Sequence, residues 1–387
     1  MILLTHPAHM PFNSIHRFSD LLLSKLHEEG ISASMLTSRS YAAPGEVIRL
    51  SVKILRYIDQ YFLFPCRLLR QASSNDGRIL YIFVDQALGP WIPLLSRQLH
   101  CIYVHDFAAL RKSRGYFVGL SSNIKERINQ SLIAAGVKRG RCFICISEKS
   151  KQDLLQLVSP SNLSSLVVIP NALNSNFQAL KKTEARKSIG LNVNGGERLL
   201  VYVGTCAFNK NVPGLLYILA ELKKRLIGGI RLLMISELPD EIYKLASDLG
   251  IKSNIIVYRN VDSLALNQFY SAADLMIMPS IHEGFGWPLI EAQACGTPVI
   301  TTDESPMRDV AGPHSLFIPP LKSAQALSDW AETTVSSMIH LLDLKEEEYE
   351  LLREKCIKWA QQFQQQAIYR RYFDYFDFIA KDRYVSS

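Results

Sequence analysis

The 387 residues contain no apolar run suited to crossing a membrane. The longest stretch, Ile79 to Leu95, is interrupted by Asp85, Gly89, Pro90 and Pro93. It reads as a strand, a loop and a helix start. The opening Met-Ile-Leu-Leu-Thr-His-Pro lacks the basic start and apolar length of a secretory signal. Cysteine is sparse: seven, scattered and odd in number. That favours a reducing compartment over a disulfide framework. Cys142 and Cys145 form a lone C-x-x-C, but within Cys-Phe-Ile-Cys-Ile they read as buried strand. No Asp-x-Asp motif, His/Cys ligand cluster, nucleic-acid motif, tandem repeat or low-complexity tract stands out. These absences predict a cytoplasmic protein, soluble or peripheral at a membrane's inner face, without metal, other cofactor or nucleic-acid partner.

What is present is a globular composition, 48% hydrophobic and 20% charged, on a chain long enough for two domains. Short apolar runs alternate with helical patterns, as in parallel α/β sheets. The strands read from the first half are 1–5, 31–36, 79–84, 101–105, 142–147 and 166–170. Those of the second are 198–203, 230–236, 254–258, 274–279, 297–301 and 315–318. Two sets of six imply two doubly wound domains, 1–175 and 176–365, with a ligand cleft between them. The polar stretch around 171–182 reads as the linker. The helical segment 366–387 is expected to return to the first domain.

Charge is uneven. The net charge is +7, yet through Ser175 the balance is +9 and beyond it −2. A basic first half predicts an acidic partner surface, with anionic lipid the better candidate in the absence of a nucleic-acid motif. Residues 53–70 place Lys53, Arg56, Arg67 and Arg70 among Tyr57, Tyr61, Phe62, Phe64 and many aliphatics. Such a basic amphipathic face suits a headgroup layer.

The densest chemistry lies in 279–301, where Glu283 and Glu291 flank Gly284-Phe285-Gly286 and Pro288 opens a helix. Pro loses nothing at a helix start. The following amides, Leu289 and Ile290, are expected to be unpaired and to attract an anion. Gly284 and Gly286 allow close backbone approach. Free amides for a phosphate beside carboxylates for hydroxyls suit a nucleotide-sugar.

This segment resembles the donor signature of the retaining family 4 glycosyltransferases: Glu, seven residues, Glu, with Gly-Phe-Gly and an Ala-x-x-Gly-x-Pro-Val tail. Further similarity lies in Val104-His105-Asp106, in Ile146 to Leu154, in Ile169 to Asn174, and in Tyr202-Val203-Gly204-Thr205 through Asn209-Lys210-Asn211. The resemblance implies a GT-B fold, two Rossmann-like domains facing across a cleft with a terminal helix crossing back. It implies a hexosyltransferase taking a nucleotide diphosphate sugar, GDP-mannose or a UDP-sugar, to a glycan or lipid-linked acceptor. Glu291 would hold the ribose, Glu283 the donor sugar, and Lys210 the departing diphosphate. Gly204, Thr205, Phe285, Gly286, Leu289 and Ile290 would line the donor. His105 would face the sugar, supported by Asp106 and Asn209. Two departures stand out. Thr205 occupies a position where many members carry Arg, leaving Lys210 as that loop's cation. The first strand leads into His6-Pro7-Ala8-His9-Met10 where the family often has Gly-Gly. A degenerate GT-B binding subunit and a nucleotide-sugar 2-epimerase are the alternative readings.

Overall fold

The computed structural model describes residues 1–7, 13–39, 50–74, 79–116, 122–174, 176–191, 197–321 and 326–385, with only the backbone of 13, 14, 50 and 382–385. The chain forms two units, Met1–Pro170 with Tyr369–Ser387, and Asn171–Ile368. The expected boundaries at 175 and 365 lie a few residues from these breaks.

Unit 1 is built on six parallel strands, β1 (Ile2–Leu4), β2 (Ser34–Leu36), β3 (Tyr81–Phe83), β4 (His100–Val104), β5 (Cys142–Cys145) and β6 (Ser165–Val168). Their spatial order is β2-β1-β3-β4-β5-β6. Tyr81 to Val84 and Cys101 to Val104 have no accessible surface. Strands covered on both faces read as unbroken apolar runs, which is why the sequence displayed them. At the sheet edge the expected strand from residue 31 begins only at Ser34, because its one neighbour, β1, pairs Ile2 with Ser34. Cys142 and Cys145 are buried in β5.

The helices of unit 1 are α1 (Asn13–Glu28), α2 (Leu50–Ile58), α3 (Phe64–Ser73), α4 (Ala108–Ser113), α5 (Ile124–Val137) and α6 (Glu148–Leu155). A π-helical turn, Asp59–Leu63, joins α2 to α3. Pro65 follows it at once; with no N–H to donate, it removes a regular helical bond there. Prolines 90 and 93 likewise keep Gln86–Leu95 in tighter 3₁₀ form. Ser147 begins α6 as its cap, its hydroxyl accepting from the Ser150 amide at 3.1 Å.

Unit 2 carries β7 (Arg198–Val203), β8 (Ile230–Ile235), β9 (Ile255–Tyr258), β10 (Leu275–Met278), β11 (Val299–Thr302) and β12 (Leu316–Ile318). Their order is β12-β11-β10-β7-β8-β9, all parallel. Its helices are α7 (Lys182–Ser188), α8 (Val212–Arg225), α9 (Asp240–Asp248), α10 (Ser263–Ala272), α11 (Trp287–Ala294), α12 (Met307–Ala311), α13 (Leu327–Leu342) and α14 (Glu346–Ala360). A core of α8, α13 and the sheet, including Leu215, Leu219, Met234 and Val335, excludes water.

The last helix, α15 (Gln365–Val385), belongs to unit 1 from Tyr369 onward. Tyr372 donates to the Pro170 carbonyl and Tyr375 to the Phe143 carbonyl, both at 3.2 Å. Phe376 is fully buried, a contribution of about 1.5–3 kcal/mol.

Candidate functional site

Strand order in unit 2 reverses between β7 and β10, the switch point at which open parallel sheets receive ligands. The loops leaving these two strands are bonded to each other. After β7, Tyr202 donates to the Thr205 carbonyl at 2.8 Å, turning the chain at Gly204. Phe208–Lys210 then form one 3₁₀ turn. The Asn209 carbonyl accepts from the Ile281 amide at 2.8 Å, and its side chain donates to the His282 carbonyl at 3.0 Å. Asn211, left-handed at φ 51°, caps α8 through Gly214 and donates to the Pro279 carbonyl at 3.1 Å.

This stitching brings Lys210 and Glu283 together. Lys210 Nζ lies 2.7 and 2.9 Å from the two Glu283 oxygens, and Ser280 Oγ donates to Oε1 at 2.6 Å. The carboxylate side chain is only 8% exposed. A charge so covered persists only when paired and hydrogen-bonded. The two residues expected to serve diphosphate and sugar separately therefore face one another.

Glu291 lies within α11, buried, with Oε2 accepting from Tyr270 at 3.0 Å. Burial, then the Glu291 charge, push the Tyr270 phenol well above its usual range, so it remains a donor. Gly286 starts α11 with φ 100°, a left-handed value that favours glycine. Pro288 falls at the second helical position, behind Trp287. One expectation is corrected here. The Leu289 amide is not free: it donates to the Gly286 carbonyl at 3.0 Å, because the first turn tightens around the glycine. Phe285 is buried and packs edge-on against Phe363.

In unit 1, His105 and Asp106 follow β4. His105 Nε2 lies 2.8 Å from the Val84 carbonyl, which can only accept, so that nitrogen carries the proton. Asp106 Oδ1 accepts from the Ala108 amide at 2.8 Å, a local bond at the entry to α4. Gln86 spans the pair, accepting from the His105 amide and donating to the Asp106 carbonyl.

Sequence reasoning missed a neighbouring couple. His6, after β1, and Asp85, after β3, meet at 2.8 Å with both side chains buried. They flank the switch point of the first sheet, between β1 and β3. Burial alone would raise the Asp85 carboxyl, but the His6 hydrogen bond and charge, with the nearby His105 and the Ala87 amide, together outweigh it and hold the carboxyl below its ordinary range. Seventy-nine residues separate the partners, so no local pattern marks them. Ser280, three residues from Glu283, and Tyr270, twenty-one from Glu291, were missed because the fold and not their spacing aims their hydroxyls at the carboxylates. The remainder of the unusual loop, residues 8–12, lies outside the described residues.

Asp274 is structural, accepting from the Leu199 amide, Lys182 and Arg186. Among the described residues no group of three or more His, Cys, Asp or Glu is arranged to hold a metal. No described helix is long and apolar enough to cross a membrane.

Residues 182–350 match the family model described as glycosyl transferases group 1. A D-inositol 3-phosphate glycosyltransferase from Segniliparus rotundus is 36% identical over 140 residues, 35% of this chain and 30% of that one. The chain spans only 30% to 45% of the length of such relatives. In three dimensions the chain is similar to sucrose-phosphate synthase from Thermosynechococcus elongatus, with TM-score 0.74, 18% identity, and coverage of 100% of this chain and 99% of that one. It is also similar to Anabaena HepE in complex with UDP and glucose, with TM-score 0.70, 14% identity, and coverage of 97% and 99%. The two doubly wound sheets and these neighbours give the GT-B fold. Residues 182–350, less than half of the chain, carry the likeness to the group 1 glycosyl transferases.

Proposed function

We propose that the protein transfers a hexose of glucose or mannose type from a nucleoside diphosphate sugar to a hydroxyl of a glycan or lipid-linked acceptor. The anomeric configuration is retained, and the product serves surface polysaccharide or glycoconjugate synthesis. The observation that carries this reading is the Lys210–Glu283 pair at the switch point of unit 2, with Glu291 one helix turn into α11.

In this reading the donor's β-phosphate takes up Lys210 as its cation. Glu283 then accepts from sugar hydroxyls, and Glu291, steadied by Tyr270, accepts from the ribose. The bond between the anomeric carbon and the phosphate oxygen breaks as the acceptor oxygen bonds to that carbon from the same face. The acceptor proton passes to the departing phosphate. Fixed positive charge where negative charge develops is the main catalytic device. Lys210 and loop amides supply it, so the reading calls for no metal or other cofactor. The family match and the UDP and glucose bound by the HepE neighbour support a nucleotide-sugar donor. The basic, apolar surface of α2 and α3 supports attachment to an anionic membrane.

The test measures nucleoside diphosphate release from UDP-, GDP- and ADP-sugars, with the anomeric configuration of any product read by NMR. Release by the wild type and its loss in Glu283→Gln support the transferase. Isomerised sugar would favour the epimerase reading, and silence with every donor the binding-subunit reading. An inverted product would overturn retention.

A further inference from the structure

An open groove of about 840 Å³ runs across unit 1 between α2 with its π-helical turn and α5. One wall carries Lys53, Arg56, Tyr57 and Tyr61; the other carries Ile124, Lys125, Ile128 and Leu132. The isoleucines and leucine recur every fourth residue on one face of α5 and are strongly exposed, at 77%, 58% and 49%. Tyr57 and Tyr61 stack at 6.1 Å, and Lys125 donates to the Tyr57 hydroxyl at 2.7 Å. The apolar stripe is thus edged by cations.

Arg56 is the informative residue. Its Nε and Nη2 are shielded from solvent and have no hydrogen-bond partner among the described residues. A buried N–H left unpaired costs about 1–3 kcal/mol, and a guanidinium fork best satisfies itself on a phosphate or carboxylate. The one acid on the walls, Glu126, is engaged by Lys112 at 3.7 Å. No acid in the groove competes for Arg56 or Lys53 among the described ion pairs.

We propose that this groove binds the phosphate of an anionic bilayer phospholipid. Arg56, turning its fork out from the groove wall, joins Lys53 and Lys125 on the phosphate oxygens while Ile124, Ile128 and Leu132 lie against the upper acyl chain. Charge complementarity selects this occupant: a helix from another protein would cover the stripe but would leave the guanidinium unpaired. The inference rests on the membrane-attached reading above and gives it a discrete site on two helices, one of them outside residues 53–70.

Flotation decides it, using the full chain with vesicles of phosphatidylcholine alone or mixed with phosphatidylglycerol. The wild type floats with the mixed vesicles and loses attachment in high salt. Arg56→Gln with Lys125→Gln lowers partitioning about thirtyfold, the loss of two surface cations. Ile124→Ser with Ile128→Ser, at exposed positions that the fold tolerates, lowers it comparably. Lys252→Gln, in unit 2, changes nothing. Nucleoside diphosphate release from soluble donor is unchanged in all of these variants, which separates a failed groove from a failed transferase reading. Equal flotation of wild type and both pairs overturns the groove but leaves the membrane. No flotation of the wild type removes both. A wild-type dimer in light scattering that the serine pair converts to monomer assigns the groove to a second copy and overturns the lipid.

Discussion

Lys210 Nζ sits between the two oxygens of Glu283, at 2.7 and 2.9 Å, although 73 residues separate them in the chain. The pair is the electrostatic centre of the switch-point site. Its existence separates what each residue does for the fold from what it does for a substrate. Lys210→Met leaves the Glu283 charge covered and without its cation, costing about 3–5 kcal/mol in denaturant unfolding; the Ser280 hydrogen bond places the loss at the lower end. Lys210→Met with Glu283→Gln recovers most of that stability. Nucleoside diphosphate release stays at least about a hundredfold down in the double variant. A single variant as stable as wild type refutes the structural part.

Tyr270→Phe removes the hydroxyl that holds Glu291 Oε2. A hydrogen bond to a charged group is worth about 1.5–3 kcal/mol. Thermal unfolding should fall accordingly, and titration of nucleoside diphosphates by calorimetry should show several-fold weaker binding. Unaltered affinity would mean that Glu291 does not hold the nucleotide.

Asp85 makes unit 1 sensitive to acid. Its carboxyl is held below the ordinary value, burial opposing and His6, His105 and the Ala87 amide together prevailing. The folded state therefore prefers the ionised form. That stabilisation is complete above the unfolded value of about 3.9 and is lost as pH falls from there through the lower folded value. The melting-temperature gap between wild type and Asp85→Asn should be constant above about pH 5 and close on further acidification. A gap that widens with acid would reverse the sign of the argument.

Gly136→Ala should destabilise unit 1 by steric overlap, without deleting any side-chain hydrogen bond. A Cβ on Gly136 would overlap the Gly89 carbonyl, because α5 lies backbone-to-backbone on the 3₁₀ segment. Such overpacking costs about 1–3 kcal/mol or more. Gly250→Ala probes a different cause, its open surroundings leaving only the φ of 66° as strain. Equal stability of wild type and Gly136→Ala by denaturant titration would disprove the contact.

All twelve strands were legible in the amino-acid pattern. A parallel strand buried on both faces must be apolar throughout, so Leu199–Tyr202 or Cys142–Cys145 cannot be disguised. The pattern also displayed the Glu283 to Glu291 segment, because a glycine turn, a proline at a helix start and flanking carboxylates all lie within a few residues and obey local rules. Strand ends escaped it, since they depend on which neighbour is there to pair, as Ser34 against Ile2 shows. The free Leu289 amide was misjudged because a glycine in left-handed conformation lets the first turn tighten. The partners emerge from folding alone: Lys210 with Glu283, Tyr270 with Glu291, His6 with Asp85, and the groove that α2 shares with α5. Each joins side chains from different loops or helices, and the order of the strands in the sheets sets their distances. A linear pattern records periodicity and composition, whereas which loops leave adjacent strand ends is fixed only when the sheet order is.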